Sequence, residues 1–131
     1  MTVISGIGIA PAFCPVVADF YSGMEVTVPL FRKDLTKDAG LQTIRELYRD
    51  TYISGLVQVV ESDDEQGFLS AMTYAGTDGM WVSVYGNEDR MLLTARYDNL
   101  GKGASGAAVQ CMNLVLGVDE KTGLVTERAD G

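Results

Sequence analysis

Three glycines, Gly101, Gly103 and Gly106, stand in the run YDNLGKGASGAAVQCMNLVLG with the spacing G-x-G-x-x-G, after an apolar strand-like stretch and before a helix-like one. That spacing is the fingerprint of a turn that cradles a dinucleotide pyrophosphate at a helix N-terminus. Cys14 and Cys111 carry thiols, and the acidic run Glu61-Ser62-Asp63-Asp64-Glu65 carries carboxylates that could gather around a cation. Histidine is absent. Imidazole triads, Cys–His pairs and most zinc sites therefore cannot be assembled from this chain alone.

Each candidate is limited by its context. A dinucleotide turn opens a β-α-β unit whose second strand brings an acidic residue to the ribose about 20 residues on. Here the helix ends near Gly117, and the subsequent LVTE is too short for a second parallel strand. The glycine spacing is therefore not read as a Rossmann turn. The acidic run lacks the D-x-[DN]-x-[DN]-G order of a calcium loop and reads as a solvated hairpin connection, so no metal site is assigned. The cysteines lie far apart, which excludes a CxxC redox pair or a zinc knuckle and suits reduced thiols in a cytosolic protein.

The elements that must position these residues emerge from hydrophobic periodicity. Residues 1–22 are irregular, and MTVISGIGIAPAF lacks a basic segment ahead of its apolar part, unlike a secretory signal. GMEVTVPL alternates as a half-buried strand with Met24, Val26, Val28 and Leu30 on one side, and Pro29 places it at an edge or a strand end. LTKDAGLQTIRELYRDTY changes to helical period: Leu41, Ile44, Leu47, Tyr48 and Thr51 or Tyr52 share the inward face, and Arg45, Glu46, Arg49 and Asp50 point away, with Thr36 or Asp34 as N-cap. Strands are expected at 55–61, more weakly at 68–74, and at 80–86 and 91–99, then a helix over 103–116 and a turn with a short extended tail. Clustered strands indicate an α+β fold, a largely antiparallel or mixed sheet with helices on one face. By length, residues 1–131 form one domain.

The net charge of −8, with scattered Lys and Arg, argues against a nucleic-acid partner. No apolar run approaches the ~20 residues of a membrane span. The C-terminal helix is the least ordinary element. Its apolar residues, from Ala104 through Leu116, cover most of the circumference, leaving a strip of Lys102, Gly106, Gln110 and Asn113. A helix this apolar needs cover on nearly every side, so part of it is expected to meet another domain or subunit. The strip has two readings: an approach to exposed N–H groups for an anionic or amide-bearing ligand, or tight packing with Gln110 and Asn113 satisfied by backbone. Trp81 and Tyr85 put large aromatics on one sheet face, either as core or as a subunit contact.

The run ARYDNLGKGASGAAVQCMNLVLG resembles the C-terminal signature D-N-L-x-K-G-A-[AS]-[GA]-x-A-V-Q-x-x-N of N-acetyl-gamma-glutamyl-phosphate reductase. Asp98, Asn99, Leu100, Lys102 to Gly106, Ala108, Val109, Gln110 and Asn113 match it as they stand. IAPAFCPVVADFYSGMEVTVPL is more loosely similar to an upstream family segment, with Ala12 where the family has histidine and no arginine between Pro15 and Gly23. The resemblance implies an α+β domain of the glyceraldehyde-3-phosphate dehydrogenase C-terminal type, joined in the complete enzyme to an NADP-binding Rossmann domain. It implies a cytoplasmic arginine-biosynthesis oxidoreductase that reduces N-acetyl-glutamyl phosphate to the semialdehyde and associates as a dimer or higher oligomer through its sheet.

The family's nucleophilic cysteine, in its C-Y-P-type setting, and its acid/base histidine are missing here. No catalytic residue is therefore assigned, and Cys14 and Cys111 read as core thiols. Cofactor-facing residues are implied at Asn99, matching the asparagine that holds the nicotinamide carboxamide in related dehydrogenases, and at Lys102, Gly103 and Ser105 around the same mouth. Asp98 and Asn99 read equally well as residues that only shape the turn. The resemblance thus implies a reductase domain inactive as an isolated chain. The alternative is a stand-alone, non-catalytic dimerising scaffold.

Overall fold

The computed structural model describes residues 2–53, 55–62 and 64–127. After a short helix α1 (Thr2–Ser5) and an extended, exposed arm, the chain forms β1 (Met24–Phe31), α2 (Leu41–Thr51), β2 (Val57–Val59), β3 (Met80–Gly86), β4 (Arg90–Tyr97) and α3 (Gly106–Leu116). The strands make one mixed sheet in the order β1-β4-β3-β2, antiparallel except for the β2–β3 pair. The α+β expectation holds at this level, and Pro29 lies on an edge strand, where its missing N–H leaves no gap in a ladder.

Strand parity places Leu30, Val84, Met91 and Leu93 on one face, since Leu30 pairs with Met91 and Val84 with Leu93. Helix α2 covers that face through Ile44, which joins buried Val84 and Met91, with Leu35, Leu41 and Tyr48 around them. Leu47, expected inward, is exposed. Arg45, expected outward, instead turns toward the sheet and donates through Nε and Nη2 to the Val84 carbonyl, at 3.1 and 2.9 Å. The carbonyl lies beyond the last rung of the short β2 ladder, where it would otherwise be unpaired. Met24, Val26 and Val28 share Leu30's face but reach past the helix and stay exposed, so the strand is less buried than its alternation suggests.

The helix N-cap also differs. Asp34 closes a 3-10 turn (Arg32–Asp34), and Arg32 gathers the carbonyls of Thr36, Lys37 and Ala39, winding that loop around its guanidinium. Helix α2 therefore starts after Gly40, and the Leu41 N–H finds Glu88 Oε2 of the β3–β4 hairpin at 3.2 Å. A carboxylate from a distant turn does the work assigned to a local cap.

The strand expected at 68–74 does not form; residues 71–76 are turns. Buried Arg96, on β4, explains why. It donates to Glu65 at 2.9 Å, to the Ser70 carbonyl and to Thr73 Oγ1, both at 3.2 Å, so this segment's polar groups are drawn to a guanidinium rather than to a ladder. The same segment lays Tyr74 on Trp81 with ring centroids 3.7 Å apart, beneath the Arg96 guanidinium. Trp81 is thus covered by its own chain. The acidic run is solvated as expected, with the Glu61 and Glu65 side chains 70 and 43% exposed, but it leads from β2 toward a parallel neighbour rather than through a hairpin, and Glu61 and Glu65 pair with Arg49 and Arg96; Asp63 of that run lies outside the described residues.

Candidate functional site

The starts of β1 and β3 and the end of β4 meet at one end of the sheet, where Met24 and Met80 both pair with Tyr97. The next residue, Asp98, is buried and joins four segments there. Its Oδ1 accepts the N–H groups of Leu100 (2.7 Å) and Gly101 (3.1 Å), satisfying donors at the start of the C-terminal helical segment. Its Oδ2 accepts the Gly76 N–H at 2.6 Å and the Ser22 hydroxyl at 2.9 Å. Burial pushes the Asp98 carboxyl up, but these four donors outweigh it and hold the group below its ordinary value as an anion.

The helical segment opens with a π turn over Gly101–Ser105, in which Gly103 donates to Asp98 O and Ser105 to Leu100 O. The expected helix 103–116 is therefore an α-helix from Gly106 behind a wider first turn. The glycine spacing has a packing cause. A Cβ on Gly101 would lie 2.3 Å from the Thr77 carbonyl oxygen, and one on Gly106 would lie 2.3 Å from Asp78 Oδ1. Asp78 cannot simply move aside: its N–H donates to Val125 O and its Oδ2 accepts the Val125 N–H, at 2.7 and 2.9 Å. Gly101 and Gly106 admit the 77–78 loop, and through Asp78 the tail, and among the described residues no β-α-β unit forms around them.

Asn99 sits beside this junction, half-buried, and its Oδ1 accepts the Gly23 N–H at 2.8 Å. Gly23 has a φ of +122° and lies so near Ala71 that a Cβ would meet its carbonyl oxygen at 2.4 Å, so only glycine fits there. Lys102 bonds through Nζ to Gln110 Oε1, and Gln110 Nε2 bonds to Glu120 Oε2 at 2.8 Å. Ser105 Oγ donates to the Leu100 carbonyl at 2.7 Å, and Gly103 is exposed. Asn99 and the π turn carrying Lys102, Gly103 and Ser105 are thus sequence neighbours at one sheet end, each anchored by the chain itself.

The polar strip has its second reading. Asn113 is buried and donates to the carbonyls of Glu120 (3.1 Å) and Thr122 (2.9 Å), and Gly106 is buried against Asp78. Gly106 and Asn113 of the strip are thus filled by the chain's own loop and tail, while Lys102 and Gln110 stay half-buried. Helix α3 is consequently inverted: its polar strip faces inward, while Leu114, Val115 and Leu116 are 59, 86 and 66% exposed. Cys111 and Cys14 are exposed and not core thiols; Cys111 lies on the helix circumference left uncovered by the described residues.

Periodicity and composition missed Ser22, Gly76, Asp78 and Glu120 as anchors, and gave Asp98 no more than a turn. An aspartate directly between a strand and a helix start is the one signal that could have marked it as a cap. Among the described residues no group of three or more His, Cys, Asp or Glu could hold a metal ion, and no helix is long and apolar enough to cross a membrane.

No family profile matches the chain. It is similar to N-acetyl-gamma-glutamyl-phosphate reductase of Rhizobium meliloti, 44% identical over 112 residues, which cover 82% of this chain and 36% of the relative. N-acetyl-gamma-glutamyl-phosphate reductase 2 of a Nostoc species is 41% identical over 128 residues, 92% of this chain and 40% of its own. The Brucella ovis reductase is 43% identical over 112 residues, again 82% of this chain and 36% of the relative. The chain spans less than half the length of the curated relatives it matches.

Proposed function

This chain belongs, as a partial-length relative, to the N-acetyl-gamma-glutamyl-phosphate reductase family, and on that premise we propose that it is the substrate and dimerisation domain of such a reductase. In this reading it is inactive alone and works beside a nucleotide-binding Rossmann domain that binds NADP, in a cytoplasmic enzyme that reduces N-acetyl-glutamyl phosphate to the semialdehyde. The same reading assigns its sheet to the glyceraldehyde-3-phosphate dehydrogenase C-terminal type.

One observation carries the reading. Helix α3 directs its polar strip into its own chain and its apolar circumference outward. Such a helix gains nothing from water, and burial of each Leu or Val side chain is worth about 1.5 to 3 kcal/mol. A neighbouring module that covers Leu114, Val115 and Leu116 would collect that gain. The uncovered face of β1, with Met24, Val26 and Val28, is the surface proposed for a second copy.

For the cofactor, the residues present fit one portion only. The Asn99 Oδ1 is engaged by Gly23, and its Nδ2 has no hydrogen bond among the described residues, so the amide can donate to a carboxamide carbonyl. The cofactor in its reduced form, NADPH, would supply the hydride when bound. This chain's part is to hold and orient the nicotinamide end through Asn99, with Lys102, Gly103 and Ser105 lining the same mouth. The adenine and phosphates would rest on the other domain.

Mixing the chain with a separately produced portion of a related reductase that includes its nucleotide-binding domain and the nucleophilic cysteine and acid/base histidine this chain lacks, and monitoring NADPH turnover, tests the reading. Turnover that needs both components and falls at least ~10-fold with Asn99→Ala is expected, since one hydrogen bond of about 1.4 kcal/mol is a factor of ten. No turnover at any ratio, with the chain dimeric, would favour a non-catalytic scaffold.

A further inference from the structure

The geometry points to Asp98 as the residue that positions Asn99, by tying the three segments that surround it into one rigid junction. Asn99 has one observed anchor of its own, the Gly23 N–H. That N–H is held from both sides by groups bonded to Asp98. Ser22, the residue before Gly23, donates its hydroxyl to Asp98 Oδ2. The 71–76 turns, whose Ala71 carbonyl lies against Gly23, end at Gly76, whose N–H donates to the same oxygen. The other oxygen holds Leu100 and Gly101, the two residues on the C-terminal side of Asn99. One buried carboxylate therefore fixes the residue before Gly23, the turns packed on Gly23, and the helix start beyond Asn99.

Only an anion serves this junction well. All four groups facing Asp98 are donors, and charge-assisted hydrogen bonds of this kind are about twice as strong as neutral ones. An asparagine in its place keeps one acceptor oxygen for one pair of donors and turns an NH2 toward the other pair. The Gly76 and Ser22 side or the helix side must then open.

The functional weight of the inference rests on Asn99 facing the cofactor; its geometry does not. Amide hydrogen exchange on the whole chain, wild type against Asp98→Asn and Ser22→Ala, separates the two. The Gly23 N–H makes no bond to Asp98, yet it is expected to exchange about 10-fold faster in Asp98→Asn and about 3-fold faster in Ser22→Ala, with the β3–β4 ladder amides unchanged. The Ser22 variant leaves every helix bond of Asp98 in place, so it tests the junction even where Asp98→Asn does not fold. Unchanged Gly23 exchange in Ser22→Ala, or equal acceleration across the ladder, would overturn the inference. In the mixed reductase assay, Asp98→Asn should raise the KM for NADPH with a smaller fall in kcat, whereas plain destabilisation lowers the amount of active enzyme at constant KM. Local opening at Gly23 with an unchanged KM would keep Asp98 as the positioning residue and remove Asn99 from the cofactor.

Discussion

Replacing Glu65 by Gln isolates a contact that holds the 65–76 segment on the sheet face rather than in its ladder. Glu65 accepts from Arg96, Thr73 Oγ1 and the Ser70 N–H, and the Arg96 side chain is only 3% exposed against 43% for Glu65. Burial pushes the Glu65 carboxyl up, but the bonds from Thr73, Ser70 and Arg96, with the Arg96 charge, bring it from 4.5 down to about 2. Taken in full, such a displacement is a ceiling of about 3 kcal/mol. Because the carboxylate is more than a third exposed, solvent screening reduces this to about 1 to 2 kcal/mol. A carboxyl held below its unfolded value contributes its stability above that value and loses it as pH falls through the folded one. Urea unfolding should therefore show Glu65→Gln about 1 to 2 kcal/mol less stable at pH 7. The gap should close between about pH 4.5 and pH 2, as the wild type loses what the variant never had. Asp98 also titrates below its ordinary value but is common to both proteins, so the difference between the curves belongs to Glu65. Parallel curves down to pH 2 would refute the reasoning.

Two glycine variants and one surface variant extend the account. Gly101→Ala meets the Thr77 backbone carbonyl and should cost about 1 to 3 kcal/mol in urea unfolding, as overpacking does. Gly106→Ala gains up to about 1 kcal/mol of helix propensity but displaces Asp78 from Val125, so it should come out neutral to mildly destabilising and less harmful than Gly101→Ala; a net gain of a full kcal/mol would mean that Asp78 does not hold the tail. Val115→Asp, at a position 86% exposed, should change the unfolding free energy of the chain by no more than about 0.5 kcal/mol, and a larger loss would show that α3 is already covered.

Periodicity marked β1, α2, β3 and β4 well, because in each the dominant signal is apolar spacing against the sheet or a neighbour, and α3 by its long apolar run alone. It failed where a single polar side chain organises a segment. Arg96 shares a strand face with Trp81, an inward position for a cation, and only the acidic residues upstream hinted at its partner. The 68–74 segment has strand-like residues, yet its polar groups go to that guanidinium. The N-cap of α2 comes from Glu88, 47 residues away, which no local pattern can announce. At the candidate site, the run from Asp98 to Asn113 was legible as a motif, but not the reason for its glycines. Gly101 and Gly106 fit Thr77 and Asp78, which sequence leaves far from them. The amphipathic strip of α3 was visible in the sequence too, and its direction was not, because inward and outward are defined by a tail that binds through backbone carbonyls.

Calorimetric titration of the nucleotide-binding portion of a related reductase into this chain, wild type and Val115→Asp, bears most directly on the claim that the bare face of α3 is where the rest of the enzyme docks. Saturable binding with a negative heat-capacity change is expected for the wild type, and Val115→Asp should weaken it at least ~100-fold, since a carboxylate buried without a partner costs several kcal/mol. Equal affinity for both proteins would contradict the account.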